Sequence, residues 1–368
     1  MTSAARLLIT VAVMSATVMQ VLDTTIVNVA LPYMQGSFSA APDQISWVLT
    51  SYLVASGIFM PLAGYFTDRI GRRRYLLTSI FGFVVSSALC GLSMNLSEIV
   101  LFRLLQGAFG ASLVPLSQAI LVETHPLEER GKAMAIWGIG VMLGPILGPT
   151  LGGYLTDALS WRWAFYVNVP VGVLSLLLAW RVTPDTERKA RTMDWRGFAL
   201  MGVAIGALQF FLDRGNQDDW FSSSTILAAA AMSGIAFLGF LVHSLRRHSA
   251  KLFNLRVFLD RNFSTASALL AVFGLGLYGN MVMQPLMLEG LFNYPAATTG
   301  LVMAPRGIAS MVSMILVGRL VNRVAPRTLI AVGVLISALG TYVTTGYNLD
   351  LDPWWVGWPI LVQGLGMG

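Results

Sequence analysis

The chain has 368 residues, of which 55% are hydrophobic and 11% charged, and its formal net charge is +6. A soluble globular domain carries about a quarter charged residues, so this chain cannot clothe itself in polar side chains and a soluble fold is excluded. The single cysteine, Cys90, excludes an internal disulfide.

Crossing the hydrocarbon core takes about 20 mostly apolar residues, and such runs recur through the chain near 7–31, 46–66, 75–95, 99–122, 133–155, 163–182, 197–212, 225–243, 264–288, 299–318 and 328–347, with a last one from 354. The expected fold class is an all-α polytopic membrane protein. The start, MTSAARLLIT, has one positive charge and no small-residue cleavage site, and reads as an uncleaved first span. Inside that span MQVLDTTIVNVALP (19–32) holds Asp23, with no basic residue within a turn or two, and Gln20 lies one turn earlier on the same face. An ionised side chain near the middle of a span costs about 2.5–3.5 kcal/mol on insertion scales, so this carboxylate needs a partner or a polar cavity.

The second run ends in GYFTDRIGRRR (64–74). Gly64 and Gly71 permit close approach and tight turning, and Asp68 is expected to face the following helix or to pair with Arg69 or Arg72. Such a network is expected to latch two halves of the molecule in one state and release them in another; the plainer reading is a basic loop. Cys90 in the third run reads as packing. In the fourth run Arg103 and Gln106 share a face, at a depth that matches Asp23. Two readings stand: a fixed buried ion pair, or a titratable carboxylate in a cavity that holds either a proton or a cationic or bulky solute.

The fifth run reads GIGVMLGPILGPTLGG (138–153), with Gly140, Gly144, Gly148 and Gly152 on one face and Pro145 and Pro149 beside them. A bare face of that kind lets a neighbouring helix approach to backbone distance, and the expected neighbour is the other half. The seventh and eighth runs lie between the charged segments TPDTERKARTMDWRG (183–197) and HSLRRHSAKLFNLRVFLDRN (243–262) and carry few polar side chains, so they read as lipid-facing packing. Asn280 and Gln284 share a face of the ninth run and are expected either to line a cavity or to bond between helices. Arg306 in MAPRGIAS (303–310) is intramembrane without an evident reason, and Glu289 is expected at the outer end. Glu123, His125, His243 and His248 fall at inner helix ends with no metal-ligand spacing.

The loop GRLVNRVAPR (318–327) overlays GYFTDRIGRRR, with Gly318, Arg323 and Arg327 over Gly64, Arg69 and Arg73 and Asn322 in place of Asp68. ILVQGLGM (360–367) overlays RLLQGAFG (103–110), with Gln363 and Gly364 over Gln106 and Gly107. Two echoes at nearly one spacing argue for duplicated halves, a plan common among secondary transporters. The charges Asp23, Asp68 and Arg103 fall opposite Leu277, Asn322 and Ile360, so the architecture alone does not require them. The expected division is a six-helix bundle over 1–182, a linker with two extra spans over 183–251, and a second bundle over 252–368 that is incomplete if the halves mirror each other.

With a cytoplasmic N-terminus, almost all of the 24 Lys and Arg fall on the cytoplasmic side, the exceptions being Arg162 and Arg214 outside and Arg103 and Arg306 within spans. That fixes the expected topology. It also argues against nucleic-acid binding, since the basic residues flank helix ends. No phosphate-binding Gly-x-x-x-x-Gly-Lys-Ser/Thr occurs, which argues against an ATP-driven pump, and no nucleophile or acid–base constellation suggests an enzyme.

These stretches carry a resemblance. GYFTDRIGRRR, LFRLLQGAFGA and GVMLGPILGPTLGG resemble motifs A, B and C of the major facilitator superfamily. LDTTIVNVALP, WRWAFYVNVPVG (161–172), DWRG (194–197) and LFNLRVFLDRNF (252–263) are similar to its fourteen-span EmrB/QacA drug:proton antiporter group, and MAPRGIASMVSMILVGRLVNRV (303–324) looks EmrB-like. The resemblance implies the major facilitator fold and an inner-membrane exporter of hydrophobic or cationic toxic compounds, driven by proton entry and needing no cofactor. It gives Asp23 and Arg103 the coupling role, Gly64, Asp68, Arg69, Gly71 and Arg72 gating, and Gly144, Pro145, Gly148 and Gly152 the helix contact. It also implies a periplasmic adaptor and an outer-membrane channel as partners. The alternatives are a facilitator for one metabolite, which motif C argues against, and a truncated chain that inserts without transporting.

Overall fold

Apolar runs this long can lie in lipid only as helices, because every backbone N–H and C=O must be satisfied inside the segment. The computed structural model describes residues 3–189, 192–246, 255–320, 323–348 and 351–368. Asn322, His248 and the expected boundary at 251/252 lie outside the described residues. Among the described residues there is no strand, and 11 helical spans are long and apolar enough to cross a membrane. In chain order they are Arg6–Phe38, Trp47–Ile70, Arg72–Leu92, Leu96–Thr124, Glu129–Ala158, Trp163–Val182, Trp195–Arg214, Ser224–Arg246, Arg261–Gly290, Thr298–Leu320 and Pro326–Thr344. A terminal helix, Pro353–Met367, follows.

Local chemistry sets the breaks. Pro61 withholds a backbone donor, and the second span passes through a 3-10 turn at Met60–Leu62. Gly71, with φ +89°, occupies the left-handed region that other residues enter at a cost, and so turns the second span sharply into the third. The fifth helix, by contrast, runs unbroken from Leu127 to Ala158 through Pro145 and Pro149.

The first span is the axis of the first half and packs on the fourth, fifth and sixth. Ile9, Ala12, Val13 and Met19 from it join Leu76, Ile80 and Phe83 of the third span in one wholly buried cluster. The seventh and eighth spans pack on each other. Ser233 Oγ donates to the Ala204 carbonyl at 2.9 Å, and His243 Nε2 lies 2.8 Å from Asp194 Oδ1. Phe198 of the seventh meets Phe59 of the second edge-on at 5.8 Å. The opposite face of the eighth is turned outward, with Ile235, Phe237 and Leu238 exposed. In water that would be untenable, but a lipid-facing surface has no reason to be polar.

The two halves repeat one helix crossing atom for atom. Ser56 Oγ donates to the Gly107 carbonyl at 3.0 Å, and Ser310 Oγ donates to the Gly364 carbonyl at 2.9 Å. A Cβ on Gly107 would strike the Tyr52 carbonyl oxygen at 2.3 Å, and one on Gly364 would strike the Arg306 carbonyl oxygen at 2.2 Å. The loop and Gln-Gly overlays read from sequence align these pairs, so the second–fourth and tenth–terminal contacts are the same contact.

Candidate functional site

Asp23 is completely buried, and it is the hub of a polar cluster drawn from three spans. Arg103 Nη1, from the fourth span, donates to Asp23 Oδ2 at 2.6 Å. Gln106 Nε2 donates to Asp23 Oδ1 at 2.9 Å, and Asn168 Nδ2 of the sixth span donates to the same oxygen at 2.6 Å. A further shell holds these donors. Arg103 Nε reaches the Val48 carbonyl of the second span at 3.0 Å, its Nη1 also meets Gln106 Oε1 at 2.7 Å, and Asn168 Nδ2 touches Ser87 Oγ at 3.0 Å. The guanidinium carbon stands 4.3 Å from the Tyr52 ring centroid, where the aromatic face offers it more negative potential.

The expected meeting of Asp23 and Arg103 is found, but its setting differs. The carboxylate is 0% exposed and the arginine 1%. Of the two sequence readings, the described state is the closed ion pair. The reason is geometric: three side-chain donors converge on one carboxylate. Gln20 is not among the donors to Asp23, and its buried Oε1 has no hydrogen-bond partner among the described residues. Asn168, Ser87 and Tyr52 were not picked out from sequence. Asn168 sits at the start of a helix, Asn168–Val182, where an asparagine reads as an end residue, and only the burial of that end makes it a cluster member.

The glycine stripe of the fifth span is a backbone-distance contact, as its spacing predicts, yet its partner is the first span of the same half. A Cβ on Gly144 would sit 2.5 Å from Val21 Cγ1, and one on Gly148 would sit 1.9 Å from Thr25 Oγ1. Gly140 faces Met14 and Gly152 faces Ile26 in the same way. The Thr25 hydroxyl lies 3.0 Å from the Gly144 carbonyl. The stripe therefore clasps the first helix on both sides of Asp23. The contact between halves uses another face of the fifth span. There a Cβ on Gly138 would meet Met314 Sδ at 2.3 Å, and one on Gly307 would meet Ile146 Cγ1 at 1.9 Å. The expectation that the stripe seals the halves against each other is corrected: four-residue spacing shows that a bare face exists, not which helix it receives.

In the loop 64–74, Arg72 does not turn to Asp68. Its guanidinium forks onto Glu123 of the fourth span, with Nη2 to Oε1 at 2.6 Å and Nη1 to Oε2. Glu123 thus belongs to this network, a role its sequence position at a helix end did not reveal. Arg73 donates to the Trp180 carbonyl, the Arg72 amide donates to Thr186 Oγ1 at 3.1 Å, and the Lys189 amide donates to the Asp68 carbonyl at 2.8 Å. Asp185 presses on Gly71, 2.6 Å from where a Cβ would stand. These bonds tie the loop to the fourth and sixth spans and to the segment that follows the sixth, all within the first half and its linker. Gly64 and Arg69 are exposed.

In the second half, Gln284 of the ninth span, Arg306 of the tenth and Gln363 of the terminal helix converge. Arg306 Nη2 donates to Gln363 Oε1 at 2.7 Å and to Gln284 Oε1, and Gln284 Nε2 donates to Gln363 Oε1 at 3.1 Å. Arg306 thereby acquires the reason that its sequence lacked. Asn280 bonds its own helix, Nδ2 to the Gly276 carbonyl at 2.8 Å, and with Gln363 it walls a cavity of about 480 Å³. Among the described residues no group of His, Cys, Asp and Glu side chains is placed to hold a metal ion.

A sequence model of the Major Facilitator Superfamily matches residues 13–368. The chain is 38% identical over 355 residues to the fatty acid resistance protein FarB of Neisseria gonorrhoeae, covering 96% of this chain and 70% of that protein. It is 35% identical to the multidrug export protein EmrB of Haemophilus influenzae, covering 98% and 71%, and 34% identical to EmrB of Escherichia coli K12, covering 97% and 70%. In fold it is similar to the xylose transporter XylE from E. coli, with a TM-score of 0.68 at 17% identity over 99% of this chain and 82% of that one.

Proposed function

The chain belongs to the major facilitator superfamily, a multi-pass membrane transporter and not an enzyme, and on that premise we propose that it exports toxic hydrophobic or cationic compounds by proton antiport. The names of its relatives support the substrate side, since they speak of multidrug export and fatty acid resistance. The coupling side rests on one observation: a lone carboxylate, Asp23, sealed in the bundle against a guanidinium and two amides. An ion pair out of water is held by mutual attraction that falls away when one partner is neutralised. Protonation of Asp23 removes the charge that holds Arg103, and with it the tie between the first and fourth spans. The hold on the sixth span weakens as well, because the Asn168 bond to the other oxygen, Oδ1, loses its charged acceptor. Loss of the proton on the other side restores the tie. One charge crossing 100 mV supplies about 2.3 kcal/mol, roughly 50-fold in concentration at 1.4 kcal/mol per decade.

The N-terminus is placed in the cytoplasm in this reading, on the strength of the basic residues at one end of the bundle. A periplasmic adaptor and an outer-membrane channel are the partners this reading expects. The test is dye efflux in everted vesicles under an imposed pH gradient, with and without an uncoupler. The wild type is expected to expel dye only while the gradient lasts. Efflux indifferent to the uncoupler, or a narrow preference for one metabolite, would favour a facilitator instead.

A further inference from the structure

We propose that Asn168 reads the proton on Asp23: its side-chain amide donates to the carboxylate and turns over to accept from the acid. The inference rests on the antiport reading for its physiological sense, and it names the residue by which that proton reaches the sixth span.

An ionised carboxylate only accepts hydrogen bonds, whereas the neutral acid has one O–H to donate. The side chains bonded to Asp23 are all donating, Arg103 at 2.6 Å, Gln106 at 2.9 Å and Asn168 at 2.6 Å. The arrangement suits the ionised form, and a proton on Asp23 requires one of these partners to reverse. Arg103 cannot, because a guanidinium has no acceptor. Gln106 is held, since its Oε1 already takes Arg103 Nη1 at 2.7 Å and the Cys90 thiol at 3.7 Å. Asn168 has its other end idle. Its Oδ1 is buried without a hydrogen-bond partner among the described residues, a state that costs free energy.

The neighbour that must follow is able to. Ser87, wholly buried, accepts from Asn168 Nδ2 at 3.0 Å and donates to the Phe165 carbonyl at 3.0 Å. A hydroxyl both gives and takes, so Ser87 can swing its proton onto a turned amide oxygen. In the described state Nδ2 bonds Asp23 and Ser87 while Oδ1 bonds neither; after the turn the two ends exchange these roles. On the amide the count is the same, so the charge on Asp23 decides the orientation. The other charged or titratable groups around Asp23 are Arg103, Tyr52 of the second span and Cys90 of the third, and the last two are ordinarily neutral at physiological pH. The fifth and sixth spans bring Gly144, Gly148 and Asn168 itself, none of which titrates. Asn168 begins the helix Asn168–Val182, so the exchange of a charge-assisted bond for a neutral one, about half as strong, is felt at the foot of that helix.

The test is a pH titration of the purified protein in phosphatidylcholine liposomes without a gradient, read by infrared difference spectroscopy. The acid carbonyl band of Asp23 is identified by its absence in Asp23→Asn. It is expected to rise together with a shifted side-chain amide band, at one midpoint pH, and that amide band is expected to vanish in Asn168→Leu. In the same variant the acid band should move to higher frequency, because its O–H has lost an acceptor. Should Asn168→Leu fail to fold, Ser87→Ala carries the reading: the amide carbonyl band of the acid form should move to higher frequency as it loses the hydroxyl, and an unmoved band overturns the proposal. An acid band with no amide band beside it, or an amide band that survives Asn168→Leu, overturns it too. So does an acid band displaced in Gln20→Leu and unmoved in Asn168→Leu, since Gln20 Oε1 would then be the acceptor. The titration needs no transport, so bands that rise together in a protein whose efflux ignores an uncoupler would sink the antiport reading and leave this one standing.

Discussion

Asp23 and Arg103 each depend on the other for the right to be buried. Removing one partner of a buried pair leaves an uncompensated charge and costs about 3–5 kcal/mol, whereas removing both can be close to neutral. Asp23→Asn and Arg103→Leu are therefore each expected to lower the unfolding temperature in detergent, and the double variant to regain most of the loss. Efflux decides what the pair is for. If the pair only braces the helices, the double variant should expel dye under a pH gradient like the wild type; the coupling role requires it to fold and fail. The pair was legible in sequence because a carboxylate and a guanidinium in apolar runs are conspicuous, and helical rise alone places them at one depth. Asn168 was not legible, because an asparagine near a helix start is common and nothing local shows that this start is buried. Glu123 escaped for the opposite reason, looking like one more charge at a helix end until Arg72 is seen reaching across to it.

Among the elements, the fifth span carries the sharpest steric demand. Its stripe admits Val21 and Thr25 so closely that any side chain at Gly148 must displace the first helix beside Asp23. Overpacking of this kind costs about 1–3 kcal/mol. Gly148→Ala is expected to lower stability by that order and to slow efflux, read as a shifted melting curve and a reduced initial rate. Gly206→Ala in the seventh span is the control, since a Cβ there meets nothing within 4 Å; its melting temperature should stay level or rise slightly, as replacing a helical glycine does. Equal losses in both would show that the contact at Gly148 is not tight. Periodicity revealed this bare face, but the choice between the first span and the other half depends on topology, which no four-residue spacing encodes. The outward face of the eighth span was easier, because a run with few polar side chains has little to offer a polar cavity.

For the molecule as a whole, the fifth and tenth spans run along each other from Gly138 beside Met314 to Pro149 beside Gly300. Two halves that rock against each other must shear along this seam. The native thiol, Cys90, is buried, so a cysteine pair can be read cleanly. Gly138→Cys with Met314→Cys is expected to form a disulfide under mild oxidant, to stop efflux while it lasts, and to release transport when reduced. Undiminished transport with the bond fully formed would show that this seam stays fixed during turnover. The duplication was visible in sequence as two faint echoes, whereas the fold they imply became definite only where Ser56 with Gly107 and Ser310 with Gly364 make one hydrogen bond twice.

That twinned junction has an evolutionary corollary. On the first copy the cation rises from the helix bearing the Gln-Gly step, and on the second it rises from the opposing rod, at the place that Tyr52 holds in the first. A scaffold indifferent to which side hosts its positive charge can move that charge between facing helices with few mutations and no rebuilding of the backbone.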